Sequence, residues 1–170
     1  MEEYCNYSCG GHTVVAGFSD ETKGESVIYL DGNQLDALPT DYVIDFHIHN
    51  GNLYVIYNRA IRRIPDIDGG NLTPDEGYTL EMQDYYSYEP PKMLSGGDGT
   101  LWAHIGGRLF RADDPSGAAW TQMAEFPIGE TAEALDGGLL KFSKNLLRDD
   151  ITDGCRCYNV KTGEIFTENN

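Results

Sequence analysis

Basic residues are scarce in this sequence: 12 Lys and Arg stand against 28 Asp and Glu, a formal charge of −16 over 170 residues. A field of that sign repels phosphate backbones and anionic membrane surfaces, which argues against direct contact with nucleic acid or lipid; it favours basic partners, cations or a protein surface that normally receives nucleic acid, and plain solubility accounts for it equally well. Long apolar runs are missing as well. No stretch approaches the length needed to span a bilayer, and the opening Met1-Glu2-Glu3-Tyr4 is not a basic region followed by an apolar leader. The expectation is a cytoplasmic or virion protein without a membrane segment. Proline- and serine-rich linkers are absent, so a single domain over residues 1–170 is expected. Helical periodicity is scarce too, its best candidate being Gly129 to Leu135.

The patterns of covalent and phosphate chemistry are equally hard to find. No nucleophile elbow or activated-cysteine context occurs. Glycine-rich pieces such as Gly96-Gly97-Asp98-Gly99 fall at strand turns rather than between a strand and a helix, where a phosphate would be cradled. Paired carboxylates at Asp113-Asp114 and Asp149-Asp150 read as solvated turn residues. A non-enzymatic protein is therefore expected.

What the chain does have is apolar material spread evenly, 40% hydrophobic with 11 Tyr, 6 Phe and 2 Trp, enough to build a core. Alternation is clear in Ser26 to Leu30, Tyr42 to His49 and Leu53 to Tyr57, which makes the class all-β. A pattern then recurs: turn glycine, apolar strand, short polar turn, second apolar strand with a basic residue, acidic or proline loop. The copies run over Ser26–Thr40, Gly51–Asp66, Gly99–Asp114 and Gly138–Asp150, starting 25, 48 and 39 residues apart. First strands are expected before the second and third copies, at Tyr42–His49 and Pro91–Ser95, and an outer strand at Ala119–Met123. Repeats of roughly 40 residues carrying several strands have the spacing of propeller blades. The predicted fold is a small β-propeller of about four antiparallel four-stranded blades, with the two terminal strands completing one blade between them.

The stretch Gly99 to Pro127, GTLWAHIGGRLFRADDPSGAAWTQMAEFP, resembles a blade of the BNR or Asp-box type of propeller repeat. Gly117 and Trp120 match that family's Asp, Gly, Trp signature, whereas Asp113 and Asp114 stand one position or more too early. The resemblance implies blades of four strands with the signature loop joining the last two.

Three groups of residues could carry a site. On a strand, Asp45, His47 and His49 project from one face and could offer a carboxylate and two imidazoles to a metal. This stretch resembles the Asp-x-His-x-His strand of amidohydrolase-type hydrolases, although only His104 remains downstream to supply a further imidazole. The alternative is a solvated face opposite Tyr42, Ile44, Phe46 and Ile48. Cys5, Cys9, Cys155 and Cys157 could form a zinc site or disulfides if the termini meet; in a reducing compartment plain thiols are expected and no cofactor is required. Finally, Tyr78, Glu81, Asp84, Tyr85, Tyr86, Tyr88 and Glu89 form an acidic, tyrosine-rich insert in the longest interval between repeats. Tyrosine gives rigid amphipathic contact area at low entropic cost, which makes this insert the expected partner-binding surface; the alternative is an outer strand whose tyrosines pack on neighbouring blades. The functional expectation is an interaction or structural module of a larger assembly, such as a virus or phage particle. The alternative is an acidic inhibitor that occupies the nucleic-acid-binding surface of a host protein, and a metal-dependent hydrolase stands third.

Overall fold

The computed structural model describes residues 1–77, 79–82, 90–114, 117–126, 130–144 and 155–168. Among them are sixteen strands and one 3₁₀ turn, Ile67–Gly69. The strands are β1 (Glu2–Cys9), β2 (His12–Phe18), β3 (Ser26–Leu30), β4 (Asn33–Gln34), β5 (Val43–His49), β6 (Asn52–Tyr57), β7 (Ala60–Ile64) and β8 (Leu80–Glu81), followed by β9 (Lys92–Ser95), β10 (Leu101–Ile105), β11 (Arg108–Ala112), β12 (Trp120–Glu125), β13 (Glu130–Asp136), β14 (Leu139–Lys144), β15 (Cys155–Asn159) and β16 (Ile165–Glu168).

They pair as four antiparallel, four-stranded meanders, β1 to β4, β5 to β8, β9 to β12 and β13 to β16. The fold is all-β and propeller-like, as the repeats predicted. Every sheet comes from one continuous stretch, so the terminal strands do not share a blade: β1 and β16 each complete the sheet of their own neighbours. The strand Glu130–Asp136 also corrects the helical reading of Gly129 to Leu135, because pairing with β14 along its whole length outweighs the helix preference of its Ala, Glu and Leu residues.

Within the meanders, five of the two-residue turns among the described residues have both residues in the left-handed region: Gly10-Gly11, Asp31-Gly32, Asn50-Gly51, Gly106-Gly107 and Gly137-Gly138. Such turns match the twist of the strands they join and need glycine, Asn or Asp. The first recurring copy proves to be the third and fourth strands of its sheet rather than the second and third. Counted from β2, β6, β10 and β14, the repeats begin 40, 49 and 38 residues apart, more even than the sequence pattern suggested.

The chain forms two compact units, Met1–Glu81 and Met82–Asn170. In the first, apolar residues of β2 and β3 (Val14, Ala16, Ile28, Leu30) pack with those of the following sheet (Val43, Phe46, Leu53, Val55). Strand β6 is buried on both faces along its whole length, which is why its residues need not alternate. In the second unit Trp102, Leu109, Phe126, Ala132, Leu140, Phe142 and Tyr158 form the core, with the rings of Phe126 and Phe142 stacked 4.1 Å apart.

A bulge sits near the start of three of the four first strands, between Glu3 and Cys5, between Val43 and Asp45, and between Ala132 and Ala134. Bulges re-aim a side chain. The bulged Tyr4 directs its hydroxyl at β5, where it accepts from the Val43 N–H at 3.0 Å and shares a hydrogen bond with Ser26 Oγ at 2.7 Å. Tyr7 Oη accepts from the Ile48 N–H at 3.4 Å, and the Cys5 thiol points at the Ile44 carbonyl. The first sheet thus meets the edge of β5 through side chains rather than through a backbone ladder.

Candidate interaction surface

The Tyr4 anchorage fixes an aromatic group at one end of the first two sheets. Tyr42, immediately before β5, stacks on Tyr4 with ring centroids 4.4 Å apart and planes 14° apart. Phe18, the last residue of β2, lies 4.7 Å from Tyr4 and 6.3 Å from Tyr42. Tyr42 is 57% exposed, so its ring, although stacked on Tyr4, still presents much of its surface to solvent. Beside the group is a cavity of about 380 Å³ lined by Glu2, Phe18, Ser19, Asp20, Lys23 and Gly24. Asp20 holds the α-ammonium of Met1 at 2.6 Å.

At the opposite end of the same sheets His12 bridges two carboxylates. Its Nδ1 lies 2.7 Å from Asp31 Oδ2 and its Nε2 2.7 Å from Asp68 Oδ1. Asp31 is in the β3–β4 turn and also accepts from the Thr13 N–H, whereas Asp68 belongs to the 3₁₀ turn, held on the β5–β6 hairpin by the Ile67 N–H to Gly51 carbonyl bond. The hydrogen bonds that the ring makes to Asp68 and then Asp31 raise the imidazole pKa above its ordinary value, and the bond with His12, followed by that from the Thr13 N–H, lowers the Asp31 carboxyl. This arrangement fastens one sheet to the next by charge. Nothing in the sequence marked it, since Asp68 is 56 residues from His12.

The metal-site residues lie on β5, as expected. Asp45 accepts from the Phe46 N–H, and the rings of His47 and His49 are stacked with centroids 6.5 Å apart. His49 is buried, so this face is not simply solvated. Among the described residues no group of three or more His, Cys, Asp or Glu converges on a metal position, and Asp45, His47 and His49 are not brought together as one. Of the cysteines, Cys5 and Cys9 lie on β1 and Cys155 and Cys157 on β15; Cys5, Cys9 and Cys157 are not in disulfides. Burial, with a further push from the Asp45 charge, raises the Cys5 thiol above its ordinary pKa.

In the third sheet the β9–β10 loop is locked by Asp98. Its Oδ1 accepts from the Thr100 hydroxyl at 2.6 Å and the Thr100 N–H at 3.2 Å, while Trp102 Nε1 donates to Thr100 Oγ1 at 3.2 Å. These bonds, the hydroxyl first, lower the Asp98 carboxyl. In the β11–β12 loop Asp113 accepts from the Thr121 hydroxyl, and Gly117 N–H donates to the Asp114 carbonyl. Of the tyrosine-rich insert, Glu81 is exposed on β8, beside Ala60 of β7. Tyr78, Asp84, Tyr85, Tyr86, Tyr88 and Glu89 lie outside the described residues.

No protein-family model matches this chain, and no curated protein does. Solved structures do. The extracellular domain of a one-component system from B. thetaiotaomicron superposes with a TM-score of 0.64 at 15% identity, over 99% of this chain and 24% of its own. The computationally designed protein Ika8 gives a TM-score of 0.56 at 9% identity over 95% of this chain and 47% of its own. A luciferin-regenerating enzyme gives 0.50 at 11% identity over 99% and 59%. The likeness is one of fold. The chain spans about a quarter of the first of these proteins and less than two thirds of the other two. Among the described residues no helix is long and apolar enough to cross a membrane.

Proposed function

We propose that this chain is a non-enzymatic interaction module that works inside a larger protein assembly, such as a virus or phage particle, and receives a basic protein surface. The observation that carries this reading is the charge of −16 displayed on a scaffold of short, hairpin-tied strands. Exposed carboxylates steer cationic partners and raise their association rate. The insert from Tyr78 to Glu89 supplies further tyrosine and carboxylate for such a contact. In this reading the resemblance of the Asp113 to Trp120 loop to an Asp-box is structural: its Asp113 bond to Thr121 holds a turn rather than a substrate.

The same charge supports a second reading, a soluble inhibitor that covers the nucleic-acid-binding surface of a host protein. Light scattering coupled to size-exclusion chromatography, on protein recovered from its source, separates the two. Recovery in a large particle is the expected result. A single free chain whose binding to a basic partner weakens steeply with salt replaces the assembly by the inhibitor. Stoichiometric zinc that is lost in His47→Ala, together with hydrolytic activity, would overturn both.

A further inference from the structure

We infer that the Tyr4, Phe18 and Tyr42 group is a docking site for a cationic side chain, an arginine presented by a basic segment of a partner protein. This rests on the interaction-module reading above and assigns it a place. Tyr42 presents much of its ring to solvent while stacked on Tyr4, and Tyr4 is itself pinned by Val43 and Ser26, so the platform is set before anything binds. A flat, rigid ring face is what a guanidinium stacks upon, gaining from the ring quadrupole as well as from apolar contact.

The charge around the platform selects the same ligand. The segments that carry the three rings contain six exposed carboxylates, Glu2, Glu3, Asp20, Glu21, Glu25 and Asp41, against the single lysine Lys23. The adjoining cavity of about 380 Å³, where Glu2, Asp20 and Phe18 line the space together with the single cation Lys23, is large enough for a long side chain.

The test uses the whole chain and a labelled peptide of alternating glycine and arginine, with the same peptide carrying citrulline as the uncharged control. The wild-type protein binds the arginine peptide and not the citrulline one. Tyr42→Leu, which keeps apolar bulk at an exposed position, weakens binding about three- to thirtyfold, and Tyr42→Phe, which keeps the ring, binds as the wild type does. Circular dichroism establishes that both variants remain folded. If Tyr42→Leu binds unchanged, if Tyr42→Phe loses as much as Tyr42→Leu, or if citrulline serves as well as arginine, the site is wrong although a basic partner can bind elsewhere. If the wild-type chain binds neither peptide, the inference and the basic-partner reading fall together.

Discussion

Replacing His12 by Gln tests the bridge between Asp31 and Asp68. The imidazolium donates to both carboxylates at 2.7 Å, and a neutral ring has one N–H and can serve only one. His12 is 16% exposed, but Asp31 is 43% and Asp68 69%, so water screens both pairs. Exposed ion pairs each contribute about 0.2–1 kcal/mol, which puts the whole bridge on the order of 1 kcal/mol. The sign follows from the direction of each shift. His12 is raised above its ordinary value of 6.5, so its contribution is complete below that value and disappears as pH climbs through the higher folded value. Asp31 is lowered from 3.8, so its share is present above that value and is lost as pH falls through the lower folded value. Urea unfolding of wild type and His12→Gln should differ by on the order of 1 kcal/mol near pH 5.5, with the difference closing as pH climbs through the raised folded value. Comparing the two proteins at each pH cancels the repulsion that an acidic chain accumulates as pH rises. A difference that stays constant across this range, or a His12 ring that titrates at or below 6.5 in the folded protein by NMR, refutes the reasoning.

Three further changes probe the scaffold. Tyr4→Phe keeps the stack on Tyr42 but strips the acceptor from the Val43 N–H and the partner from Ser26 Oγ, and should cost about 1–3 kcal/mol in denaturant midpoint analysis. Gly107→Ala places a Cβ 2.9 Å from the Phe126 carbonyl at a φ of 74°, and should lower the midpoint by at least about 1 kcal/mol, whereas Gly97→Ala, with open space around it, should fall within about 0.5 kcal/mol of wild type. Arg156→Ala removes the guanidinium that meets the buried Glu130 carboxylate at 3.0 Å; because Arg156 is itself partly solvated, the expected loss is about 1–3 kcal/mol, and it should shrink in Arg156→Ala/Glu130→Gln, where no buried charge is left alone.

The parts of the fold that were legible in the sequence are those fixed locally. Strands β5, β9 and β12 fall where alternation and turn residues put them, within one or two residues at most ends. The first sheet was misphased because a strand, an Asp-Gly turn and another strand look alike whichever pair of strands they join, and because β1 and its polar Glu-Glu-Tyr-Cys-Asn-Tyr-Ser-Cys sequence shows little burial to betray a strand. Residues 130–135 read as helix since Ala, Glu and Leu prefer it, and only the partner strand reverses that choice. The aromatic group and the His12 bridge were illegible for a different reason. Each joins residues well separated in sequence, up to 56 positions apart, and Tyr4 reaches its partners through a bulge that alternation cannot foresee.

The hydroxyls of Tyr4 and Tyr7 on β5 have an implication for what the protein can recognise and what it resists. An open strand edge invites any extended segment to pair with it, which is one route to recognition and also the commonest start of amyloid-like stacking. Along β5 the amides of Val43 and Ile48 are already engaged by phenols from a neighbouring strand, so an incoming peptide finds no unbroken row of donors there. A visitor cannot extend this sheet at that edge; it has to be read by side chains, and the same two tyrosines that help to hold the unit together guard it against joining copies of itself.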